Sequence, residues 1–275
     1  MSESQRTIVL EGICLELALP VKLQVQWEGR DDVLRQVQAA WMVVDPTDIP
    51  LSPRIVGPPG TGKTTLAYTA ARRCSQDVYF FQATMDTRPE DLLVQPVLSG
   101  PSEIKYVASS LLTAVIQGGV CILDEGNRMS EKAWASLAPL LDQRRYVESV
   151  VTGLRIHAHP DFRFCTTMNT DASTFDLPEY IHSRLQPQIY VEFPEADEEL
   201  AILASQLPFV DVKLLHVVVN FLQKAHQSGA PWSIRDGIQA LRYAAKRGAL
   251  EHKNLEDFLH SAIIHVCGED AAQWI

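Results

Sequence analysis

The sequence predicts a parallel α/β core followed by an all-helical segment, and three observations lead there. The first is GPPGTGKT (Gly57–Thr64), set between a short apolar run and a helical pattern. The second is the alternation of short apolar runs with helical patterns from Arg54 onward, as expected when parallel strands are joined through crossover helices. The third is that strand signals stop at Pro194, after which only helical spacing recurs.

Composition is consistent with a folded core: of 275 residues, 46% are hydrophobic and 21% charged. No apolar run approaches the roughly 18 to 20 residues of a membrane span. The start, MSESQRTIVL, lacks a basic stretch leading into a long apolar one, so no secretory signal is expected. Five cysteines are scattered without CxxC or metal-ligand spacing, which suits reduced thiols and a cytoplasmic location. The net charge of -10 disfavours a broad nucleic-acid-binding face.

In chain order, ICLELAL and PVKLQVQW each alternate apolar and polar residues, predicting two strands in a small N-terminal β extension over residues 1–28. Asp31 is placed to cap a helix carrying Val33, Leu34, Val37, Trp41 and Val44 at helical spacing. DPTDIPLSP is a loop on its three prolines. The α/β core is expected over 29–194, with strands near Arg54–Val56, Val78–Gln82, Val120–Asp124, Phe162–Thr167 and Gln188–Phe193. A helical lid is expected over 195–275, with helices near Asp197–Gln206, Lys213–Gln227, Ile234–Arg247 and Leu255–Val266. Ser233 is placed to cap the third, and Gly229, Pro231 and Gly248 read as breaks.

The P-loop reading of GPPGTGKT rests on physical requirements. Gly57, Pro58, Pro59, Gly60, Thr61 and Gly62 form a loop whose glycines let successive N–H groups point at phosphate oxygens, beside the positive end of a helix. Lys63 reaches the β- and γ-phosphates, the Thr64 hydroxyl ligates magnesium, and Thr65 continues the turn. The second element is GGVCILDEGNRMS, where an apolar strand delivers Asp124 and Glu125 to its carboxyl end. Asp124 suits the magnesium shell and Glu125 suits the base that deprotonates attacking water. A carboxylate base beside the metal ligand favours ATP hydrolysis over a kinase or a switch that positions water with Gln.

Together GPPGTGKT, LDEGNRMSEKAWASLAPLLDQRRYV, HPDFRFCTTMN and IHSRLQPQIYVEFP resemble the AAA+ ATPases, in particular the MoxR-like branch and its dynein-related relatives. The resemblance runs from about Arg30 to about Arg247. It implies a P-loop NTPase three-layer parallel sheet of strand order 5-1-4-3-2, and an ATP-driven ring, often hexameric, with sites at subunit boundaries. By motif, Asn169 matches sensor 1, Arg184 the arginine finger that reaches a neighbour's γ-phosphate, and Arg235 sensor 2. Read alone, Asn169 is a turn residue, Arg184 a loop arginine, and Arg235 a first-turn cation that Asp236 could relieve instead.

Arg128, Arg144 and Arg145 fall where the family faces a neighbouring subunit or the pore, although a solvated charged face explains them equally; the two later arginines are expected on a helix that Pro139 kinks. LSGPSEIKYVASSLLTAVIQGG resembles the branch's inserted element, with Tyr106 or Lys105 as client contacts. The leading expectation is a MoxR-like chaperone whose client specificity comes from a separate protein, such as a von Willebrand-type partner. The alternative is an ATPase or GTPase motor linked to nucleic acid, because adenine and guanine are not distinguished by these motifs.

Overall fold

The computed structural model describes residues 7–25, 27–100, 103–170 and 177–275. It begins with an antiparallel hairpin of β1 (Thr7–Leu10) and β2 (Ile13–Glu16), turned at Glu11 and Gly12, both at positive φ. Leu15 and Leu17 are buried and anchor this hairpin to the core. The strand expected over Pro20–Trp27 does not form at its described residues, 20–25 and 27. The Val21 N–H donates to Val78 O at 2.8 Å, and Leu23 exchanges two bonds with the Tyr68 hydroxyl, while Leu23 and Val25 stay exposed. Alternation alone describes an extended chain; a strand also needs a continuous partner backbone.

α1 (Asp31–Trp41) buries Val33, Leu34, Val37 and Trp41, and the Trp41 indole donates to Phe164 O at 2.9 Å. Arg30 rather than Asp31 holds the cap position, leaving Asp31 and Asp32 in the first turn, where their charge complements the helix dipole. Val44 lies past the helix end and is exposed.

The core follows as β3 (Arg54–Gly57), α2 (Lys63–Arg73), β4 (Val78–Gln82), β5 (Val94–Gly100), β6 (Glu103–Ala108), α3 (Ser110–Gln117) and β7 (Val120–Asp124). It continues with α4 (Glu131–Leu137), β8 (Tyr146–Glu148), β9 (Arg155–His157), β10 (Arg163–Asn169), α5 (Glu179–His182) and β11 (Gln188–Tyr190). Among the described residues, five strands form one parallel sheet ordered β11-β3-β10-β7-β4. Counting only these strands along the chain, that is 5-1-4-3-2, the order expected. Their apolar runs are buried, and α1, α2 and α3 pack against the sheet.

The inserted element is an antiparallel hairpin, β5–β6, before α3. Its β6 pairs in parallel with β2, so the N-terminal hairpin and the insert share one sheet, ordered β1-β2-β6-β5. Tyr106 is half-buried opposite Leu15, whereas Lys105 is exposed. Pro139 does not kink a helix: α4 ends before it, and Arg144 and Arg145 lie in the tight turn into β8, with Arg145 at φ 51°. Proline cannot donate the bond the next turn requires, so the helix stops.

The chain divides into two compact units, residues 1–57 with 63–190, and residues 58–62 with 191–275. The second contains α6 (Ala196–Gln206), α7 (Val212–Gln227), α8 (Ile234–Glu251) and α9 (Glu256–Cys267), with its own core of Leu203, Leu215, Phe221, Leu222, Leu241 and Ile263 among others. Gly248 is not a break. It sits inside α8, where an added Cβ would come within 2.9 Å of Lys253 O, so a small residue lets the following turn pack closely.

Candidate active site

Parallel strands place the candidate residues together by register. β3 ends at Gly57, β4 at Gln82, β7 at Asp124 and β10 at Asn169, all on the carboxyl edge of the sheet. Asn169 is in register with Gly57, and Asp124 with Gln82. This is the edge where α/β sheets bind ligands. A cavity of about 710 Å³ lined by Trp41, Cys74, Asp77, Gln117 and Arg163 opens at the opposite ends and shares no residue with this cluster.

In the first unit, α2 starts at Lys63, which is buried and donates from Nζ to Gly57 O at 3.0 Å. One turn of helix aims the Thr64 hydroxyl at Asp124 Oδ1, 2.9 Å away. The Thr167 hydroxyl also donates to Asp124 Oδ1, so two hydroxyls from different elements converge on one carboxylate oxygen. Thr167 has a second task, accepting the Glu125 N–H at 3.1 Å. That contact supports Glu125 in the left-handed region, at φ 56°. Such backbone is costly for a non-glycine residue and persists where its surroundings over-determine it.

The Glu125 carboxylate has protein partners at both oxygens. Oε2 accepts from Gln82 Nε2 at 3.1 Å and lies 2.8 Å from Arg128 Nε, an ion-pair contact without hydrogen-bond alignment. Oε1 faces Asn169 Nδ2 at 3.4 Å. Asn127 secures the surrounding backbone by donating to Asn169 O at 2.8 Å, and Trp134 does so by donating to Gly126 O at 3.1 Å. Gly126 must be small, because a Cβ there would lie 2.1 Å from Thr166 Oγ1.

In the second unit, residues 58–62 accompany the helical segment. Gly60 and Gly62 take φ 78° and 86°, and Thr61 is buried with its hydroxyl donating to Pro58 O at 3.0 Å. A Cβ on Gly60 would meet Ser233 Oγ at 2.2 Å and Arg235 Cβ at 3.7 Å, so Arg235 belongs beside the loop. Arg235 is exposed in the first turn of α8, where Asp236 accepts both the Ser233 N–H and hydroxyl. Asp236 thus supplies the charge relief that made Arg235 ambiguous in sequence.

Arg184 is not beside Lys63 or Glu125 in its hydrogen bonds. Its Nε and Nη2 donate to Asp142 Oδ2 at 3.2 and 3.1 Å, and Nη1 donates to Tyr180 O at 2.6 Å. The structure therefore brings together Lys63, Thr64, Asp124, Glu125 and Asn169, places Arg235 by Gly60, and anchors Arg184 on Asp142. Sequence reasoning did not single out Gln82, Thr167 or Asp142. Gln82 ends a strand and Thr167 precedes Asn169 by two, so strand-end polarity is the signal that marks them.

These observations meet an independent comparison: a model of the AAA domain, dynein-related subfamily, matches residues 54–185. Residues 54–185, just under half of the chain, are therefore similar to the AAA domain of the dynein-related subfamily. The P-loop sequence, the acidic strand end and the parallel sheet agree with that similarity. An uncharacterised protein of Staphylococcus saprophyticus is 25% identical over 170 residues, 60% of this chain and 64% of that one, a little under two thirds of its length. An uncharacterised protein of Staphylococcus aureus is 24% identical over 191 residues, 68% of this chain and 72% of that one. Among solved structures, the Thermotoga maritima RuvB Holliday junction branch migration motor superposes with a TM-score of 0.59 at 15% identity, covering 89% of this chain and 71% of that one. That likeness is one of fold. Among the described residues, no helix is long and apolar enough to cross a membrane.

Proposed function

We propose that this AAA domain hydrolyses ATP at sites completed by a neighbouring subunit, and that the cycle remodels a protein client in the manner of a MoxR-like chaperone. The carrying observation is the convergence of Thr64, Thr167 and Asp124 beside the engaged carboxylate of Glu125. It supports a nucleotide site because two hydroxyls and one carboxylate form a hard-oxygen donor set suited to magnesium. Gly60 and Gly62 at positive φ, followed by a buried lysine, form the cradle a triphosphate needs. Magnesium held by Thr64 and Asp124 would supply charge neutralisation to the phosphates.

The chain's own residues account for the remaining work. Gly60, Thr61 and Gly62 offer backbone N–H groups, Gly57, Pro58 and Pro59 shape the loop that leads to them, Lys63 supplies the cation for the β- and γ-phosphates, and Thr65 the next helical N–H. Glu125 removes the proton of the attacking water once a partner of its carboxylate yields, and the Asn169 amide orients that water. Arg235, placed beside Gly60, would offer its charge to phosphates held by the loop. Arg184, anchored away from these groups, acts on a neighbour's γ-phosphate.

The test is the solution mass of Glu125→Gln by light scattering, with ATP and with ADP. A closed oligomer formed with ATP alone, hexameric in the leading expectation, supports a shared site. A monomer under both conditions sinks the trans assignment. A nucleic-acid motor remains the second reading because RuvB, whose fold is shared, is a branch migration motor. DNA-stimulated turnover with a steep salt dependence would favour it.

A further inference from the structure

The cavity at the opposite ends of the sheet strands shares no residue with the candidate nucleotide site, and its walls are chemically one-sided. Its volume of about 710 Å³ falls within the range of small-ligand pockets. Three helices end on it: α1 through Trp41 and Met42, α2 through Cys74 just past its last turn, and α3 through Gln117 and Gly118. A helix C-terminus carries partial negative charge on carbonyls that lack intrahelical partners. α1 and α3 have no basic residue in their last turns to offset that charge. In α2 the last-turn arginines are engaged elsewhere, Arg73 with Asp31 at 3.1 Å and Arg72 with Gln76 O at 3.5 Å, and neither lines the cavity.

The N–H donors already in place show what these walls attract. Arg163 donates from Nε to Trp41 O at 2.7 Å, and from Nη1 to Pro160 O and Phe162 O at 2.9 and 3.1 Å. Gln76 Nε2 donates to Gly118 O at 3.2 Å and to Asp161 O at 2.6 Å. Acceptors remain in excess. The carboxylates of Asp77 and Asp161 line the cavity and accept no hydrogen bond among the described residues. His159 does not neutralise Asp161, because its Nδ1 accepts the Asp161 N–H at 3.1 Å and so carries no hydrogen. The Tyr79 hydroxyl gives its hydrogen to Gln117 Oε1 at 3.0 Å, and burial together with the Asp77 charge pushes its pKa up to about 12. Gly119 brings the end of α3 against Asp77, since a Cβ there would fall 2.8 Å from Asp77 O and 2.6 Å from the Tyr79 ring.

Two carboxylates would be ordinary on the surface of a chain with net charge -10. Here they border an enclosure on which three helix ends converge, and Arg163, the one Lys or Arg lining it among the described residues, is tied by three bonds to carbonyl oxygens. An anion entering would meet both carboxylates and all three negative helix ends, whereas a cation rich in N–H groups would find acceptors. We infer that this cavity binds an organic cation, an amine or guanidinium of small-molecule size, with Asp77 and the C-terminal end of α3 as its principal partners. The site is separate from the candidate nucleotide site and does not depend on any reading of it.

The experiment is calorimetric titration of agmatine, which carries both an amine and a guanidinium, into the nucleotide-free chain. Saturable binding at one site is expected. Asp77→Asn should weaken it about 10-fold or more, the scale of one charge-assisted contact. Cys74→Trp should weaken it as well by filling the cavity, with circular dichroism confirming that each variant folds. Asp124→Asn, at the other edge of the sheet, should bind agmatine as the wild type does. Arginine capped at both ends gives the source of the cation: binding equal to agmatine points to a side chain of a protein segment, and binding of agmatine alone to a free metabolite. Both outcomes support the site. Equal affinity in the wild type, Asp77→Asn and Cys74→Trp would overturn it, as diffuse attraction of cations to an acidic chain. Absence of saturable binding would overturn it too, and so would binding of the dianion glutarate in place of agmatine.

Discussion

At the scale of residues, the candidate site is a set of matched donors and acceptors on the ends of parallel strands. Thr167 illustrates how much one hydroxyl does, donating to Asp124 while receiving the Glu125 N–H. Thr167→Val keeps the shape and removes both bonds, so turnover should fall by about 10- to 100-fold with the fold intact; steady-state kinetics beside a melting curve checks this. Arg184→Ala should bind ATP normally and lose about 10³-fold or more in turnover, because a finger acts on charge that develops only in the transition state. Wild-type rates in that variant would remove the assignment. Lys63, Thr64, Asp124 and Glu125 were legible in sequence because a P-loop and an acidic strand end are local patterns. Gln82, Thr167 and Asp142 were not, because their partners lie on strands or turns remote in sequence.

At the scale of elements, two features carry testable consequences. The N-terminal hairpin is part of the fold's own sheet, since β2 pairs with β6 and Leu15 is fully buried. Leu15→Ala should cost about 2–5 kcal/mol in urea unfolding, the usual range for deleting a buried leucine side chain. In the helical unit, the carboxyl of Glu199 on α6 is buried and its pKa is raised to about 7 by that burial. Gln223 Nε2 donates to Glu199 Oε2 at 3.0 Å, while Oε1 faces His226 Nδ1 at 3.7 Å. His226 Nε2 is 2.7 Å from Trp232 O and so carries a hydrogen, and burial lowers the pKa of this ring, which stacks on Phe193.

The signs of these two shifts oppose. Above the lowered value of folded His226 and below its unfolded value of about 6.5, the folded pair keeps its proton on Glu199 and the unfolded chain keeps one on His226, so the pair contributes no slope. Glu199→Gln removes one side of that balance. The histidine then acts alone: its depressed pKa costs stability at low pH, and the cost disappears as pH rises toward about 6.5. The stability of Glu199→Gln should therefore rise with pH relative to wild type across this window, by up to about 1.4 kcal/mol per pH unit. Parallel profiles for the two proteins, from denaturant titrations at a series of pH values, would refute these opposed shifts.

At the scale of the whole molecule, the two units have separate apolar cores, one around Trp134, Phe162 and Phe164 and the other around Phe221, Leu222 and Leu241. Separate cores allow separate cooperative transitions. Leu241→Ala should lower the transition of the helical unit by calorimetry and leave the other near its original temperature; a single transition shifted as one would refute independent unfolding. What the sequence by itself determined is what short-range chemistry encodes: the P-loop, the Asp124–Glu125 strand end, the five core strands and the four terminal helices. The strand misread at Pro20–Trp27, the helix ending before Pro139 and the uninterrupted helix at Gly248 all turned on partners that local periodicity does not name. Tertiary structure decided those, along with the sheet that joins the N-terminal hairpin to the insert and the carboxylate that gathers Arg144 and Arg184. The physical reason is that hydrogen-bond partners and close packing are properties of chain segments brought together, whereas capping, turn and phosphate-binding preferences reside in a few adjacent residues.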